Sequence, residues 1–457
     1  MTADTTTATT TAAAEPSAPR EITYSRVAAI ALPVVLSNAT VPLQGAIDTA
    51  IIGNLGDEVF LAAVTLGAVV ISLIFTSFNF LQMGVSGLTA QALGAGERGR
   101  VLNTLLRALV IAGAISAALI LLRWPLSDLA LRLFEGSDEA EALAGLYFRI
   151  RVWGAPAELA NYALIGWFTG QEMTRRLFEM QIVTSVANIV LNLVFVLGLG
   201  MDVDGVALGT VIAAWLGLGY GLWRARARGR AIAPAGWRPE LRRILDPSEL
   251  GQVMALNRDI FIRTACLTGS FAWMARLGSL QGDVILAANG VLMQFLHVAS
   301  YALDGFAMAA ETLVGQAMGA RSGPRLRRAV VVSSVAALAL AAGFAALATV
   351  LAIPIIHLFT NVEAVREAAR GFALWATLLP LIGVLAYQAD GIFIGAAEGR
   401  TMRNAMLISA GVYVPASWAL THAFGNHGLW AGLWLFMLVR AGTLALGYGR
   451  IEARCRA

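Results

Sequence analysis

Apolar runs long enough to cross a lipid bilayer recur from Arg26 almost to the last residue, and this recurrence restricts the fold more than any other feature. One span needs roughly 20 apolar residues, and about 12 stretches approach that length. In the first half they are Val27–Ile52, Phe60–Gly84, Val101–Leu122, Leu143–Thr169, Phe178–Leu199 and Val206–Trp223. In the second half they are Val253–Leu277, Val284–Leu313, Ala329–Phe359, Ala368–Ala396, Ala405–Ala423 and Leu429–Gly447. Only helices or closed barrels satisfy every backbone polar group in hydrocarbon, and runs of this length are helical ones. The expected fold is therefore an all-α integral membrane protein. The eighth and ninth segments are long for a bilayer and predict tilted or overhanging helices.

Composition agrees. Of 457 residues, 58% are hydrophobic and 14% charged, against about 25% charged in soluble domains. The net charge of +4 is small for this length and points to no nucleic-acid partner. The basic side chains are all arginine, so a lysine-containing phosphate loop of the GxxxxGK[ST] type is excluded, and ATP with it as direct energy source. No HExxH, CxxC or nucleophile elbow is present, and nothing suggests an enzyme, a metal or another cofactor. Cys266 and Cys455, in a span and in the C-terminal tail, predict no disulfide. Residues 1–20 are Thr/Ala-rich with no signal-peptide pattern and read as a disordered cytoplasmic tail.

The arginines alternate. Arg98/Arg100, Arg175/Arg176, the Arg224–Arg243 cluster, Arg321/Arg325/Arg327/Arg328 and Arg400/Arg403 follow even-numbered segments, and Arg450, Arg454 and Arg456 close the chain. Asp57, Glu58, Asp202, Asp204 and Asp283 occupy the intervening turns, and Arg123, Arg132, Arg149 and Arg151 fall on that side as exceptions. The positive-inside rule then places both termini in the cytoplasm.

The halves resemble each other. AQALGAG at Ala90–Gly96 returns as GQAMGAR at Gly315–Arg321, LGDEVFLAA at Leu55–Ala63 as QGDVILAAN at Gln281–Asn289, and DGVALG at Asp204–Gly209 as HGLWAG at His427–Gly432. Copies sharing a membrane orientation predict two parallel six-helix repeats, with a pathway at their interface. The expected divisions are a tail (1–20), an N-terminal lobe (21–225), a cytoplasmic linker (226–250) and a C-terminal lobe (251–457).

Within the first segment stand Asn38, Gln44 and a carboxylate, Asp48, together with Pro33 and Pro42. A charge inside a span costs about 2.5–3.5 kcal/mol on insertion scales, so a retained one commonly faces a cavity. Proline frees a backbone carbonyl and lets a helix bend. Asp48 reads either as a titrating group of a gate or as a carboxylate wetted at the end of its span.

Four stretches carry a family resemblance: ALPVVLSNATVPLQGAIDTAIIG (Ala31–Gly53), LNRDIFIRT (Leu256–Thr264), YALDGFAMAAETLVGQAMGAR (Tyr301–Arg321) and DGIFIGAAEGRTMRNAMLIS (Asp390–Ser409). In order and in both halves, they resemble the multidrug and toxic compound extrusion (MATE) transporters, and within them the bacterial DNA-damage-inducible DinF branch. The resemblance implies a V-shaped pair of six-helix lobes in a bacterial cytoplasmic (inner) membrane. It implies exchange of small amphipathic or cationic drugs against an ion gradient.

It also implies roles for particular residues. Asp48 takes the position of the N-lobe protonation site, working with Asn188 and Asn192, which lie four apart on one face of the fifth helix. Asn192 replaces an aspartate present in some relatives, so a second N-lobe acid is missing. Asn38, Gln44, Asn161 and Thr210, with Met83 and Tyr301, are expected around a polar or substrate cavity; interhelical hydrogen bonding is the alternative for the amides. Met293, Met308, Phe78, Phe80 and Phe295 suit an adaptable apolar lining.

Asp304, Glu311 and Asp390 form a candidate cation site, or else anchors holding the C-terminal lobe together. Glu158 is expected to pair with Arg151, and Asp259, between Arg258 and Arg263, reads as an ion-pair anchor. His297 reads as a packed residue or a proton relay. The expected activity is proton-coupled efflux by a monomer in contact with membrane lipid, with sodium coupling or flipping of a lipid-linked precursor as alternatives.

Overall fold

The computed structural model describes residues 21–53, 58–131 and 138–456; the tail assigned to 1–20 lies outside them. Among the described residues the chain is helical throughout, with no strand. The first half contains α1 (Tyr24–Gly53), α2 (Glu58–Ser77), α3 (Phe80–Gly94), α4 (Arg98–Leu121), α5 (Arg123–Leu131), α6 (Asp138–Arg151), α7 (Ala155–Gly170), α8 (Thr174–Asn192) and α9 (Val203–Ile232). After the short α10 (Leu241–Ile244) come α11 (Pro247–Ser279), α12 (Asp283–Gly319), α13 (Gly323–Val350), α14 (Ala352–Phe359), α15 (Glu363–Gly395), α16 (Gly399–Phe424) and α17 (Asn426–Arg456). By length and composition, 8 helical stretches among the described residues are able to cross a membrane.

Several expected single helices are broken. The second segment is α2 and α3, joined by a tight turn at Phe78 and Asn79. The fourth is α6, a 3₁₀ turn at Val152–Gly154, and α7. The ninth is not one long tilted helix, since α13 ends at Val350 and α14 starts at Ala352. By contrast, α12 runs unbroken for 37 residues, and α1 stays helical through Pro33 and Pro42. After Asn192 the backbone widens into a π-helical turn, Leu193–Gly198; such turns often mark functional positions. α9 carries the RARARGR stretch of the expected linker on to Ile232, and Asp246 caps α11, its carboxylate accepting from the Ser248 and Glu249 amides.

The repeat shows in how helices end. In the first half Gly96 and Glu172 have positive φ, 76° and 60°; in the second, Arg321 and Ala397 have φ of 50° and 55°. Each terminates its helix with the same pair of hydrogen bonds: Gly96 N to Leu93 O and Glu97 N to Ala92 O, matched by Arg321 N to Met318 O and Ser322 N to Ala317 O. Glu172 N to Thr169 O and Met173 N to Phe168 O are matched by Ala397 N to Ile394 O and Glu398 N to Phe393 O. This is the Schellman arrangement, in which a left-handed residue closes the last carbonyls. Three of the four positions accept the strain of a left-handed non-glycine residue.

Packing follows from small residues. On α9, Gly205, Gly209, Gly217 and Gly221 recur at multiples of four, with Ala213 and Ala225 filling the series. A methyl at Gly209 would collide with the Asn192 amide oxygen, one at Gly217 with the Thr184 hydroxyl, and one at Gly221 with Met180 and Leu164. This stripe lets α8 approach α9 closely, which is how helices associate where lipid offers no hydrophobic drive. α12 packs along α15 and α13 in the second half and reaches α1 and α3 in the first.

Candidate functional site

The first-half amides come together around α8 and α9. Asn188 is fully buried, and its amide nitrogen donates to the Thr210 hydroxyl at 2.9 Å. That hydroxyl in turn donates to the Val206 carbonyl at 2.8 Å. Asn192, one turn further along and also fully buried, packs on Gly209 beside the π-helical turn. Asn161 donates to the Ala214 carbonyl at 3.2 Å, fastening α7 to α9. Interhelical bonds of this kind average about 0.6 kcal/mol in membranes, so they position helices more than they hold them.

α1 lies between the halves. The Ser185 hydroxyl of α8 donates to Gln44 at 3.3 Å, and Asn38 donates to the Tyr301 carbonyl of α12 at 3.2 Å. Pro42 falls between these two anchor points, so the helix is weakened where its allegiance changes. Asp48 belongs to α1 four residues beyond Gln44, and its side chain lies outside the described residues.

Of the second-half acids, Asp304 and Asp390 lie within electrostatic reach of each other, and Glu311 stands apart. Asp390 of α15 is 7% exposed and receives Arg263 of α11 at 2.6 Å and, on the same oxygen, Arg440 of α17. Asp304 of α12 lies within electrostatic reach of all three. Two carboxylates thus face two guanidinium groups. Arg440 also lies over the Tyr387 ring, 5.9 Å from its centre, and Tyr387 is hydrogen-bonded to Ser300 of α12 at 2.6 Å. Glu311 is separate, buried beside Ser86 of α3. Among the described residues no three acidic, histidine or cysteine side chains are placed to hold a metal ion. The anchor reading therefore fits Asp390 better than a bare cation ligand. Arg263 also differs from expectation, since Asp259 pairs instead with Arg403 at 2.7 Å and Arg258 at 3.3 Å.

Other expected positions are resolved. Arg151 and Glu158 stand 3.8 Å apart. His297 is exposed on the outer face of α12, Phe295 is buried in the second-half core, and Met293 packs against that core. Met83 packs on the core shared by α12, α13 and α15, and Phe80 meets Phe78 and Phe261 edge to face.

A feature absent from the sequence reading closes one end of the molecule. The two repeated motifs meet there: Gly94 lies against the Gln316 backbone, and Gly319 against the Gln91 backbone. Gln91 donates to the Gly395 carbonyl at 2.8 Å, and Thr312 to the Thr169 carbonyl at 3.0 Å. Arg26 completes the closure, donating to Glu172 at 3.0 Å and to Gln316 at 3.2 Å. Arg440 and Gln316 were the detectable omissions: a charge inside an apolar run, and a repeated glutamine.

A membrane-embedded helical duplication, with a buried polar seam and one end sealed by its own repeat motifs, is the architecture of a membrane transporter. The MatE family model matches residues 33–194 and again 260–419. The chain is 39% identical over 430 residues to DNA damage-inducible protein F of Escherichia coli K12, an alignment covering 91% of this chain and 90% of that protein. It is 28% identical over 450 residues to the probable multidrug resistance protein NorM of Bradyrhizobium diazoefficiens, covering 93% of each. In fold it matches the outward-facing conformation of a multidrug resistance MATE family transporter of the MOP superfamily, with TM-score 0.84 and 19% identity over 95% of this chain and 97% of that one. The chain belongs to the MATE family of multidrug efflux transporters, which are not enzymes.

Proposed function

We propose that the protein exports small amphipathic, cationic compounds across a bacterial cytoplasmic membrane in exchange for protons, as a monomer with both termini in the cytoplasm. Its lobes would be residues 21–225 and 251–457, joined by 226–250. The observation carrying this reading is α1, tied to α12 through Asn38 and to α8 through Gln44, with Pro42 between. A helix anchored to both halves is the natural place to convert a change of charge into a change of shape. Protonation of Asp48, with Asn188 and Asn192 as its expected polar partners, removes a charge from α1. α1 then bends, and bound compound leaves outward. The pairing of Asp390 with Arg263 and Arg440, with Asp304 within electrostatic reach, supports protons over sodium, because a metal cation would have to compete with two guanidinium groups.

The test is ethidium transport in vesicles containing the protein, with pH and sodium gradients imposed separately. Transport driven by the pH gradient and abolished in Asp48→Asn is the expected result. Transport following sodium, or full activity in Asp48→Asn, overturns the reading; no response to either gradient points to the flippase alternative.

A further inference from the structure

A groove of about 640 Å³ lies away from the polar seam, between α4, α7 and the C-terminal third of α9. Its wall is apolar, built from Leu106, Leu109 and Leu222, and the segment after α9 folds back to lay Trp237 across it. Leu222 is 40% exposed and the adjacent Trp223 61%, so this face of α9 looks out of the bundle. At the arginine-bearing end of the groove stand Arg226 and Arg230, one helical turn apart and exposed. No carboxylate pairs with either among the described residues, and no acidic side chain lines the groove. Nearby Arg228, bonded to Gln171 at 3.0 Å, lies within electrostatic reach of Arg98, which adds to the uncompensated charge.

We propose that this groove seats an anionic phospholipid of the surrounding bilayer, its acyl chains against the leucines and its phosphate between Arg226 and Arg230. An apolar trough ending in two guanidinium groups beside a tryptophan complements such a lipid in shape and charge. Basic pockets between spans select anionic head groups in this way. A transported cation would meet repulsion at the same rim. The bound lipid would brace α9 and the chain entering α10 against α4, steadying the end at which the halves meet.

The experiment titrates the purified full chain in detergent with dioleoylphosphatidylglycerol, counting bound lipid by native mass spectrometry and following the thermal midpoint. Each basic residue near an anionic surface contributes about 1 kcal/mol, so Arg226→Gln/Arg230→Gln should weaken binding about thirtyfold. The doubly lysine-substituted chain should bind nearly as the parent does. Leu222→Trp, which fills the trough without touching charge, should also weaken binding. Arg450→Gln, a distant charge loss, should leave it unchanged, and dioleoylphosphatidylcholine should bind alike to parent and variants. Unaltered phosphatidylglycerol binding in the double glutamine chain overturns the proposal. So does equal stabilisation by glycerol 3-phosphate alone, which would make the groove a site for a soluble anion.

Discussion

The carbonyl oxygen of Gln316 occupies the space in which a side chain on Gly94 would begin, and the carbonyl of Gln91 does the same at Gly319. The four residues are two equivalent pairs from the two repeats, AQALG and GQAMG, crossing backbone on backbone. The sequence duplication is therefore a contact surface as well as a record of shared descent.

Adding a methyl to either glycine should open this end. Overpacking costs about 1–3 kcal/mol, which changes a two-state ratio by roughly 5- to 150-fold. Spin labels at Arg100 and Arg325, in a chain lacking Cys266 and Cys455, should report a longer distance in Gly94→Ala and in Gly319→Ala. An unchanged distance distribution would show that the crossing does not control the closed state.

The buried charge cluster predicts a stability effect with a definite pattern. Arg440 is 2% exposed and shares one Asp390 oxygen with Arg263. Removing one member of a buried pair typically costs about 3–5 kcal/mol, because its partner stays buried. Arg440→Leu should lower the thermal midpoint strongly, and Arg440→Leu combined with Asp390→Leu should cost less than the sum of the two single changes. Additive losses would mean that the two residues do not interact.

Ala397 is strained where Gly96 is not. Its left-handed conformation costs roughly 1–2 kcal/mol for a residue bearing a Cβ. Ala397→Gly should raise stability by about 1 kcal/mol, read as a higher thermal midpoint. Glu172→Gly relieves the same strain but deletes the partner of Arg26, so it should loosen the closed end in the distance measurement while Ala397→Gly leaves that distance alone.

The cap of α11 sets a pH dependence outside the membrane. Hydrogen bonds from the Ser248 hydroxyl and amide and from the Glu249 amide hold the Asp246 carboxyl below its ordinary range. A carboxyl lowered on folding contributes its stabilisation fully above the unfolded value and loses it as pH falls through the folded one. Amide exchange at Ser248–Leu250 should therefore speed up, relative to an unstructured reference, on acidification through the carboxylate range. Asp246→Asn should flatten that dependence; an unchanged profile would refute the assignment.

The apolar runs were enough to locate nearly every long helix, because a bilayer dictates span length so tightly. They did not disclose the break between α13 and α14, where Val350 to Ala352 carries no polar signal, nor the π-helical turn after Asn192. Asn188 and Asn192 were legible as one helix face because four-residue spacing survives in sequence, whereas the Thr210 hydroxyl that Asn188 meets lies 22 residues further on, on another helix. Asp390 was legible as a buried acid, but its partners were not: Arg263 had a nearer carboxylate in the chain, and Arg440 sits 50 residues away. Pairing across helices depends on rotation about each helix axis, which a hydropathy pattern does not specify.

The Gly94–Gln316 and Gly319–Gln91 crossing has no flexible side chain to stretch. A gap of about 0.5–1 Å already forfeits a quarter to a half of the dispersion between bare backbones. Such a joint has no soft, half-engaged regime; it behaves as a snap fastener, seated or released. The backbone crossing should accordingly part over a short travel, while the longer side chains of Gln91 and Arg26 at the same end can still span the gap.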